Sequence, residues 1–301
     1  MRSKKRQLDG VLLLDKPCGP SSNAALQRVK WLYRADKAGH TGSLDPLASG
    51  LLPICFGAAT KLSTHLLTGD KGYRTVARLG IRTDTLDAQG RPLAEASIEG
   101  IEREQIEAAL AQFRGSIQQV PPMYSALKRD GTALYELARQ GVEIDREPRQ
   151  VRIDRLEVVD WTAPFLVLDI DCSTGTYVRS LVDDLGQALG CGAHVHALRR
   201  TWAAPFRHPV VMHSMPTLDG LIGNLPALDA LLLPIEVMVE GMPRATIDGD
   251  DLVRFSHGNP VTLDVAPVDD EVAVFDADQR LLGIARCRDG RTLKAVRVLN
   301  R

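Results

Sequence analysis

The chain has 301 residues, of which 44% are hydrophobic and 25% are charged, and its net charge at pH 7 is −1. This composition is typical of a soluble globular protein and leaves room for two domains of unequal size. The near-neutral charge argues against a protein that binds nucleic acid through a uniformly basic surface, so any such binding must be local.

Cysteine usage and apolar segments bear on the cellular compartment. The five cysteines lack CxxC spacing, which argues against a zinc ribbon or a disulfide framework and favours a reduced, cytoplasmic chain. The basic start MRSKKRQ is followed by no signal-peptide core, so residues 1–9 are predicted to be a disordered tail. No segment approaches the ~20 apolar residues of a membrane span, and we expect no membrane association.

The first predicted elements lead into a glycine-rich stretch. The run GVLLLDKP from residue 10 is typical of a buried strand, and SSNAALQRVKWLYR after it has cap-competent serines and helical spacing. After residues 39–50, GHTGSLDPLASG, the pattern predicts a helix in GAATKLSTHLLTG and a strand in KGYRTVARLG. Tyr73 thus lies near the start of a strand that soon follows the glycine-rich stretch.

Further along, strands and helices alternate irregularly. Helices are predicted in EREQIEAALAQFRG, GTALYELARQG and TYVRSLVDDLGQALG, and strands in VRIDRLEVVD, FLVLDIDC and ALRRTWAAPFR. Because there is no regular βαβ repeat, we predict an α+β fold with helices packed on a sheet. Residues 204–245 are rich in proline and glycine, and residues 245–301 contain short β-like runs that predict a small all-β domain.

Several common catalytic motifs are missing from the sequence. His194 and His196 lie near Cys191, but there is no HExxH spacing and no second ligand pair, so no metal site is predicted. The sequence also lacks the phosphate-binding GxxxxGK[ST] and GxGxxG loops and a GxSxG nucleophile elbow. It therefore gives no indication of ATP, NAD or a serine nucleophile.

One carboxylate, Asp45, stands in the glycine-rich stretch with only His40 as a titratable neighbour. A carboxylate in such a loop is usually a turn acceptor. Arg179, at the start of a predicted helix, could instead keep it ionised, as a nucleophile requires. Arg179 could equally pair with Asp183, one turn further along its own helix, and spacing alone does not choose between the two.

Five blocks of the sequence resemble, in the same order, the bacterial tRNA pseudouridine-55 synthases, and they span most of residues 10–202. The blocks are GVLLLDKPCGPSSNAALQRVK, GHTGSLDPLASGLLPICFGAATKLS, KGYRTVARLGIRTDTLDAQG, PPMYSALKRDGTALYELARQG and STGTYVRSLVDDLGQALGCGAHVHALRRT. The resemblance implies that residues 10–240 form a pseudouridine synthase catalytic domain, a mixed, largely antiparallel sheet flanked by helices with a central RNA-binding cleft. Residues 245–301 resemble, more weakly, the small PUA-type RNA-binding β domain.

The resemblance also implies an activity, the isomerisation of the T-loop uridine at position 55 of tRNA to pseudouridine. The C1′–N1 bond breaks, the uracil turns and a C1′–C5 bond forms, so no atom is gained or lost and no cofactor is implied. The expected partner is the T arm and elbow of tRNA, and the expected protein is a cytoplasmic monomer that needs no metal.

Three residues would carry the chemistry according to the resemblance. Asp45 would be the nucleophile, Tyr73 would lie against the base and Arg179 would be the partner of the aspartate. A single carboxylate near an anomeric carbon suits an oxocarbenium-like centre, and attack on C1′, a glycal route and attack on C6 all remain open. Tyr73 could also be the base that removes a proton, once its phenol is ionised.

Other residues would shape the substrate site. By the resemblance, His40 would lie at the flipped nucleotide, Tyr177 and Leu198 would line the uracil pocket, and Lys16 would lie near the cleft. The glycines would allow the backbone to approach a nucleotide closely. Six basic residues are candidates for phosphate contacts, namely Lys128, Arg129, Arg139, Arg199, Arg200 and Arg207.

Two other functions remain open at the level of sequence. The first is a tRNA-folding chaperone or RNA-binding protein in which catalysis is secondary. The second is a base-releasing glycoside hydrolase, which needs a second carboxyl group near Asp45. Asp84 and Asp87 are the nearest candidates, although a turn role is expected for both.

Overall fold

A computed structural model of the chain describes residues 5–125, 127–129, 131–207, 211–263, 271–288 and 291–299. The strands of this part of the chain are β1 (Gly10–Lys16), β2 (Ala38–His40), β3 (Ala48–Phe56), β4 (Lys71–Leu79), β5 (Ile81–Thr83), β6 (Pro92–Glu95), β7 (Gly115–Gln119), β8 (Lys128–Arg129), β9 (Thr132–Ala133), β10 (Arg149–Thr162), β11 (Phe165–Cys172), β12 (Ala193–Ala203), β13 (His213–Ser214), β14 (Arg244–Thr246), β15 (Val261–Thr262), β16 (Glu271–Phe275), β17 (Leu281–Arg288) and β18 (Thr292–Val298). The α-helices are α1 (Ser22–Leu32), α2 (Ser63–Leu66), α3 (Arg103–Leu110), α4 (Leu134–Arg139), α5 (Val178–Ala188), α6 (Met215–Asp219), α7 (Leu225–Asp229) and α8 (Gly249–Ser256). Short 3-10 helices cover Gly57–Lys61, Ala111–Phe113 and Ile235–Val239.

The larger sheet is mixed and mostly antiparallel. Its strands run in the order β13-β1-β3-β12-β4-β11-β10-β7, and β2 also pairs with β3. The pairs β1 with β13 and β3 with β12 are parallel, and the other pairs are antiparallel. The predicted α+β class with a largely antiparallel sheet is therefore confirmed.

Both faces of the sheet are covered at β1, which explains the unbroken apolar run in this strand. Leu12 and Leu14 point to one face, where they join the core formed with helices α1, α3, α5, α6 and α7. Val11 and Leu13 point to the other face and join a second core that includes Phe275 of the C-terminal region. A strand that is buried on both faces has no need for the alternation of apolar and polar residues seen at a solvated sheet.

The C-terminal region forms a second sheet in the order β14-β16-β17-β18-β15. Its own core contains Phe255, which is fully buried and lies on helix α8. The sequence pattern did not predict this helix, so the small domain is mainly β rather than all-β. The two short helices α6 and α7 within the proline-rich residues 204–245 were also not predicted, and each has a proline in its first turn, where proline is tolerated.

Two further predictions differ in detail from the structure. The helix predicted in GAATKLSTHLLTG is divided into a 3-10 helix and the single turn of α2, although Ala59, Leu62 and Leu66, which would share one face of such a helix, are buried. In the predicted N-terminal tail, Arg6 forms a β-bridge with Ala35 and an ion pair with Asp229, so this part lies against the folded domain. Residues 1–4 lie outside the described residues.

Over the described ranges, no helix combines the length and the apolar character needed to cross a bilayer.

Candidate active site

Five of the predicted site residues meet at one small cavity of about 120 Å³. They are contributed by the glycine-rich loop between β2 and β3, by strands β4 and β12 and by the start of helix α5. The residues that line it are Ser43, Leu44, Asp45, Ala48, Tyr73, Thr176, Tyr177, Val178, Arg179 and Leu198. The lining is thus mainly apolar and aromatic, with Asp45 and Arg179 as its charged pair.

Arg179 pairs with Asp45 and not with Asp183. Its Nε lies 2.9 Å from Oδ2 of Asp45, and the Arg179 side chain is only 5% exposed, compared with 45% for Asp45. Its Nη1 and Nη2 donate to the carbonyls of Thr85 (3.1 Å) and Tyr124 (2.7 Å). The guanidinium is therefore fixed on three sides, and it presents one edge to the carboxylate.

Asp183 has a different partner on the same helix. Its two carboxylate oxygens accept hydrogen bonds from Nε (2.7 Å) and Nη2 (3.0 Å) of Arg82, in strand β5. This bidentate pair answers the question that helical spacing left open, because Asp183 is occupied by another arginine.

The loop that carries Asp45 is held tightly by backbone hydrogen bonds. The buried Ser22 hydroxyl donates to the Leu44 carbonyl (2.9 Å) and accepts from the Leu44 amide (2.7 Å). The Gly19 amide donates to the Pro46 carbonyl (2.8 Å), and the Ala48 amide closes a turn onto the Asp45 carbonyl (3.0 Å). Asp45 is therefore presented by a fixed turn and not by a flexible loop.

Ser22 makes a structural contact that the sequence did not reveal. The sequence offered Ser21 and Ser22 alike as helix caps, and the structure assigns the cap to Ser21, whose hydroxyl accepts from the Ala24 amide. Ser22 instead joins helix α1 to a loop about twenty residues away. No local pattern carries that information, since the contact depends on the assembled fold.

We expect Ser22→Ala to impair catalysis as well as stability. The change leaves the buried amide and carbonyl of Leu44 without their partner, which costs about 1–3 kcal/mol of unfolding free energy, and it loosens the turn that holds Asp45. The neighbouring Ser21→Ala should cost about 1 kcal/mol through loss of the cap and leave turnover unchanged. Urea unfolding and turnover rates measured on both variants check this, and equal turnover in the two would contradict it.

The glycines of the loop have reasons that differ from the expected one. Gly42 has φ of +124° and Gly50 has φ of +99°, conformations that other residues rarely adopt. A Cβ at Gly50 would also collide with the Arg200 carbonyl of the neighbouring strand β12. Backbone conformation and strand packing thus account for Gly42 and Gly50 without any bound nucleotide.

Lys16 is a buried cation that lies close enough to Asp45 to interact with its charge. Lys16 is fully buried, and its Nζ donates to the carbonyls of Pro17 (2.9 Å) and Pro20 (2.8 Å). Burial lowers the pKa of Lys16, while Cys18 and Asp45 act in the opposite direction. Lys16 does not line the cavity itself, so its position supports the turn that precedes α1.

Arg200 corrects one prediction from the sequence. It was a candidate for phosphate contact, but it is only 1% exposed, and it donates to the carbonyls of Leu51 (2.7 Å) and Gly42 (3.1 Å). A cation so enclosed cannot meet a phosphate on the surface. Its role is to brace the loop and the adjacent strand, a role that a basic residue in an apparent surface run does not reveal.

The other five phosphate candidates lie at or near the surface, and most contact neighbouring groups. Arg199 forms a bidentate pair with Asp15, and Arg207 lies 4.4 Å from the centre of the Trp202 ring. The remaining three are Lys128, Arg129 and Arg139, of which Arg129 donates to the Asp145 carbonyl and Arg139 lies over the Tyr135 ring. Their contact with RNA stays a prediction.

Tyr73 is partly buried in the cavity wall, and its environment favours the protonated phenol. Burial raises the pKa of Tyr73 to about 12, and the nearby Arg200 guanidinium only partly offsets this effect. A residue that must be ionised to act as a base is poorly placed in such surroundings. The geometry therefore supports Tyr73 as a stacking surface and a hydrogen-bond donor more than as a proton acceptor.

Tyr177 and Leu198, the two residues predicted to line the uracil pocket, both line this cavity. Burial raises the pKa of Tyr177, with the hydroxyl of Ser125 acting against it. Leu198 lies in β12 beside Thr75 of β4 and Ala48 of β3, so three strands fix its position. Both side chains line the cavity together with Asp45, and their contact with uracil remains a prediction.

His40 is the predicted substrate residue that the structure does not bring into the cavity. It is the last residue of β2, half-buried, and its Nδ1 accepts from the Gly42 amide at 3.4 Å. Burial, and to a lesser degree Arg200, lower the pKa of His40, which favours a neutral ring. It lies close to the loop, but its contact with a flipped nucleotide remains a prediction.

The two aspartates that could have served a hydrolase have turn roles. Asp87 is buried and accepts from the Thr85 hydroxyl (2.6 Å) and the Gln89 amide (3.0 Å). Asp84 accepts from the Arg91 amide (2.8 Å). Among the residues that the structure describes, Asp45 is the only carboxylate in the cavity lining, which disfavours the two-carboxyl mechanism of a glycosidase.

The histidine pair considered for a metal has ordinary contacts. Nδ1 of His194 lies 2.8 Å from the Ile81 carbonyl, and the His196 ring packs against Phe165. Within the described ranges, no group of three or more His, Cys, Asp or Glu residues is arranged to hold a metal ion.

Asp184, next to Asp183 on α5, provides a pH-dependent prediction. Burial, and then the charge of Asp183, raise the pKa of Asp184 to about 6, whereas an aspartate in the unfolded chain titrates near pH ~4. The unfolded chain thus loses this proton first, so stability falls as pH rises from about 4 to 6, and the loss persists above that range. We expect Asp184→Asn to raise the unfolding free energy by about 1–3 kcal/mol near pH ~7.5 and to give no gain near pH ~4.

The matched variant for this comparison is Asp183→Asn. It weakens the pair with Arg82, so it should destabilise the protein at neutral pH, opposite in sign to its neighbour. Urea unfolding of both variants at the two pH values gives the comparison. A gain from Asp184→Asn of equal size at both pH values would contradict the assignment.

Three successive ranges of the chain match domains of pseudouridine synthases. Residues 30–178 match the N-terminal domain of the TruB family of pseudouridylate synthases. Residues 179–240 match the C-terminal domain of tRNA pseudouridylate synthase B, and residues 243–299 match the C-terminal domain of pseudouridine synthase II TruB.

Individual relatives are similar over nearly their whole length. The tRNA pseudouridine synthase B of Stutzerimonas stutzeri is 51% identical over 290 residues, covering 95% of this chain and 94% of that protein. That of Chromobacterium violaceum is 47% identical over 300 residues, covering 99% and 97%. The crystal structure of a Cbf5–Nop10–Gar1 complex superposes with a TM-score of 0.75 at 24% identity, covering 97% of this chain and 85% of that one, and it supports the fold alone.

Proposed function

This chain belongs to the TruB family of pseudouridine synthases, and we propose that it isomerises a uridine of tRNA to pseudouridine with Asp45 as the nucleophile. The proposed role of Asp45 is supported by its ion pair with the buried Arg179 at a small, mainly apolar cavity. The finer proposal is that the target is the T-loop uridine at position 55. Residues 10–240 would then be the catalytic domain and residues 245–301 an accessory RNA-binding domain.

The reaction requires a nucleophile and a pocket that water cannot easily enter. The C1′–N1 bond breaks and the uracil must be retained while it turns, because C5 then bonds to C1′. The proton on C5 is lost and N1 gains one, so the base keeps its composition. A cavity lined by Leu44, Tyr73, Tyr177 and Leu198 limits the access of water, which would otherwise hydrolyse the sugar centre.

Asp45 can serve this reaction in more than one way. As an ionised carboxylate it can attack C1′ as the base departs, or stabilise positive charge there while a glycal forms. Nε of Arg179 lies 2.9 Å from one carboxylate oxygen and places a positive charge beside it. The half-exposed carboxylate leaves room for a nucleotide to approach, while its partner is fixed by two backbone carbonyls.

The target base must leave the T-loop stack to reach this cavity. Extruding a loop base costs unstacking energy, which aromatic contacts in the pocket can offset. Tyr73 keeps its proton near neutral pH, as an ordinary phenol does, and its pKa, raised to about 12, strengthens this, so it can pack against the base and donate a hydrogen bond. We propose that the protein does this as a cytoplasmic monomer that grips the T arm and elbow of tRNA.

The experiment that tests the proposal uses two transcripts. The protein is incubated with unmodified tRNA and with the same tRNA carrying cytidine at position 55, and pseudouridine is mapped by base-specific chemistry. We expect one converted T-loop uridine in the first transcript and none in the second. Free uracil would instead indicate a hydrolase, and binding without conversion would indicate the RNA-binding chaperone.

A further inference from the structure

Gln119, the last residue of β7, is bonded to the backbone of a cavity residue. Its side chain is 2% exposed, its Oε1 accepts from the Tyr177 amide (2.8 Å) and its Nε2 donates to the Tyr177 carbonyl (3.1 Å). One amide side chain thus bonds to both backbone groups of Tyr177, as a neighbouring strand would, and the Tyr177 carbonyl also accepts from the Leu181 amide (3.1 Å). Neither family resemblance nor periodicity drew attention to this residue.

Tyr177, the residue bonded to Gln119, lies where the cavity lining meets the start of helix α5. Tyr177 immediately precedes helix α5 and lines the cavity, and Arg179 follows two residues later. The position of the Tyr177 backbone therefore sets where the helix begins and where the Arg179 guanidinium lies relative to Asp45. A shift of the helix start by an ångström would move the arginine away from the carboxylate.

The residues that follow Gln119 repeat the contact. The Val120 carbonyl accepts from the Ser180 hydroxyl (2.9 Å), and the Tyr124 carbonyl accepts from Nη2 of Arg179 (2.7 Å). Residues 119–124 thus lie along residues 177–180 with hydrogen bonds at both ends of the contact. Just beyond lies the hairpin of β8 and β9, which carries the exposed Lys128 and Arg129.

We propose that Gln119 is a positioning residue for the isomerisation, acting through Tyr177 and Arg179 on Asp45. This role rests on the proposed function, since it concerns the geometry of that reaction. Gln119 has no place in the cavity lining among the described residues, so it is not expected to touch the base. Its loss should reduce the chemical step and leave tRNA affinity largely intact.

The test compares two substitutions of unequal severity. Gln119→Met removes both hydrogen bonds and keeps a side chain of similar size. Gln119→Glu keeps an acceptor for the Tyr177 amide but loses the donor to the Tyr177 carbonyl. With enzyme in excess over tRNA, we expect the single-turnover rate to fall about 100-fold for Met and about 10-fold for Glu, in line with the cost of a misplaced group. The Kd for tRNA should change less than about threefold in both.

The matched control is Tyr33→Phe, which removes one buried hydrogen bond, from the Tyr33 hydroxyl to the Leu228 carbonyl, in another part of the core. It should lower the melting temperature with no change in single-turnover rate. A Gln119 variant that is as active as this control, or that loses only tRNA affinity, would overturn the positioning role. If Gln119→Met does not fold, the Glu variant decides by the same criteria.

The outcome separates this role from the proposed function itself. Failure of the unaltered protein to convert tRNA would overturn the proposed function and this role with it. Full activity in the Gln119 variants, beside an active unaltered protein, would overturn the positioning role alone.

Discussion

Asp45→Asn is expected to lower the single-turnover rate of pseudouridine formation by at least about 10⁴-fold, which is the scale seen when a nucleophile is removed. The amide is nearly the same size as the carboxylate and can still contact Arg179, so the cavity keeps its shape. What is lost is the negative charge that attacks or stabilises C1′. The measurement is conversion of unmodified tRNA under enzyme excess, followed by chemical mapping of pseudouridine.

Two controls make this result specific. The Kd of the variant for tRNA should stay within about threefold of the original value, since Asp45 supplies little of the phosphate contact that dominates affinity. Asp84→Asn changes a carboxylate that accepts from a turn amide, and it should leave the rate nearly unchanged. A rate for Asp45→Asn within about tenfold of the original would exclude Asp45 as the nucleophile.

Local patterns predicted the elements that frame the site. An unbroken apolar run located β1, and period-two or helical spacing located α1, β4, β11 and α5, because each of these elements packs against the core of the larger sheet. The glycine-rich stretch and the resemblance located Asp45, Tyr73, Tyr177, Arg179 and Leu198, and the structure brings these five to one cavity. Their roles in catalysis are predictions that the variants above and below test.

What the sequence could not supply is the support behind those residues. Ser22, Gln119 and Arg200 bind backbone groups that are 22, 58 and 149 residues away. Such contacts exist only after the sheet has formed, so no window of sequence contains both partners. The burial of Arg200 was not predicted for the same reason. Its neighbours in sequence are typical of a surface cation, whereas in the fold it is buried and donates to the Leu51 and Gly42 carbonyls.

The choice between two partners for Arg179 had a similar origin. Helical spacing allowed the Asp183 pair, and that pair would have been plausible in an isolated helix. The fold brings Arg82 of β5 to Asp183 and the loop carboxylate to Arg179, so each arginine has one acidic partner. Which acidic residue each arginine meets depends on where the strands lie in the fold. Neither helical spacing nor the charge pattern of the sequence predicts those positions.

The same two arginines provide the final prediction. Arg179→Met should lower the single-turnover rate by about 10³-fold and the unfolding free energy by about 2–4 kcal/mol, because it leaves the carbonyls of Thr85 and Tyr124 without donors and Asp45 without its cation. Arg179→Lys should lose less, about 10²-fold in rate, since it keeps the charge but not the planar fork that reaches three acceptors. Tm and single-turnover rates of both variants check the order.

Arg82→Met separates stability from catalysis in this comparison. It breaks a pair on the same helix and leaves the largely buried carboxylate of Asp183 without that arginine, so it should destabilise α5 as well. Its rate at a temperature where it is folded should nevertheless be close to the original, because Arg179 still holds Asp45. Equal loss of rate in Arg82→Met and Arg179→Met would mean that Arg179 acts by stabilising the helix and not by fixing the carboxylate at the uridine.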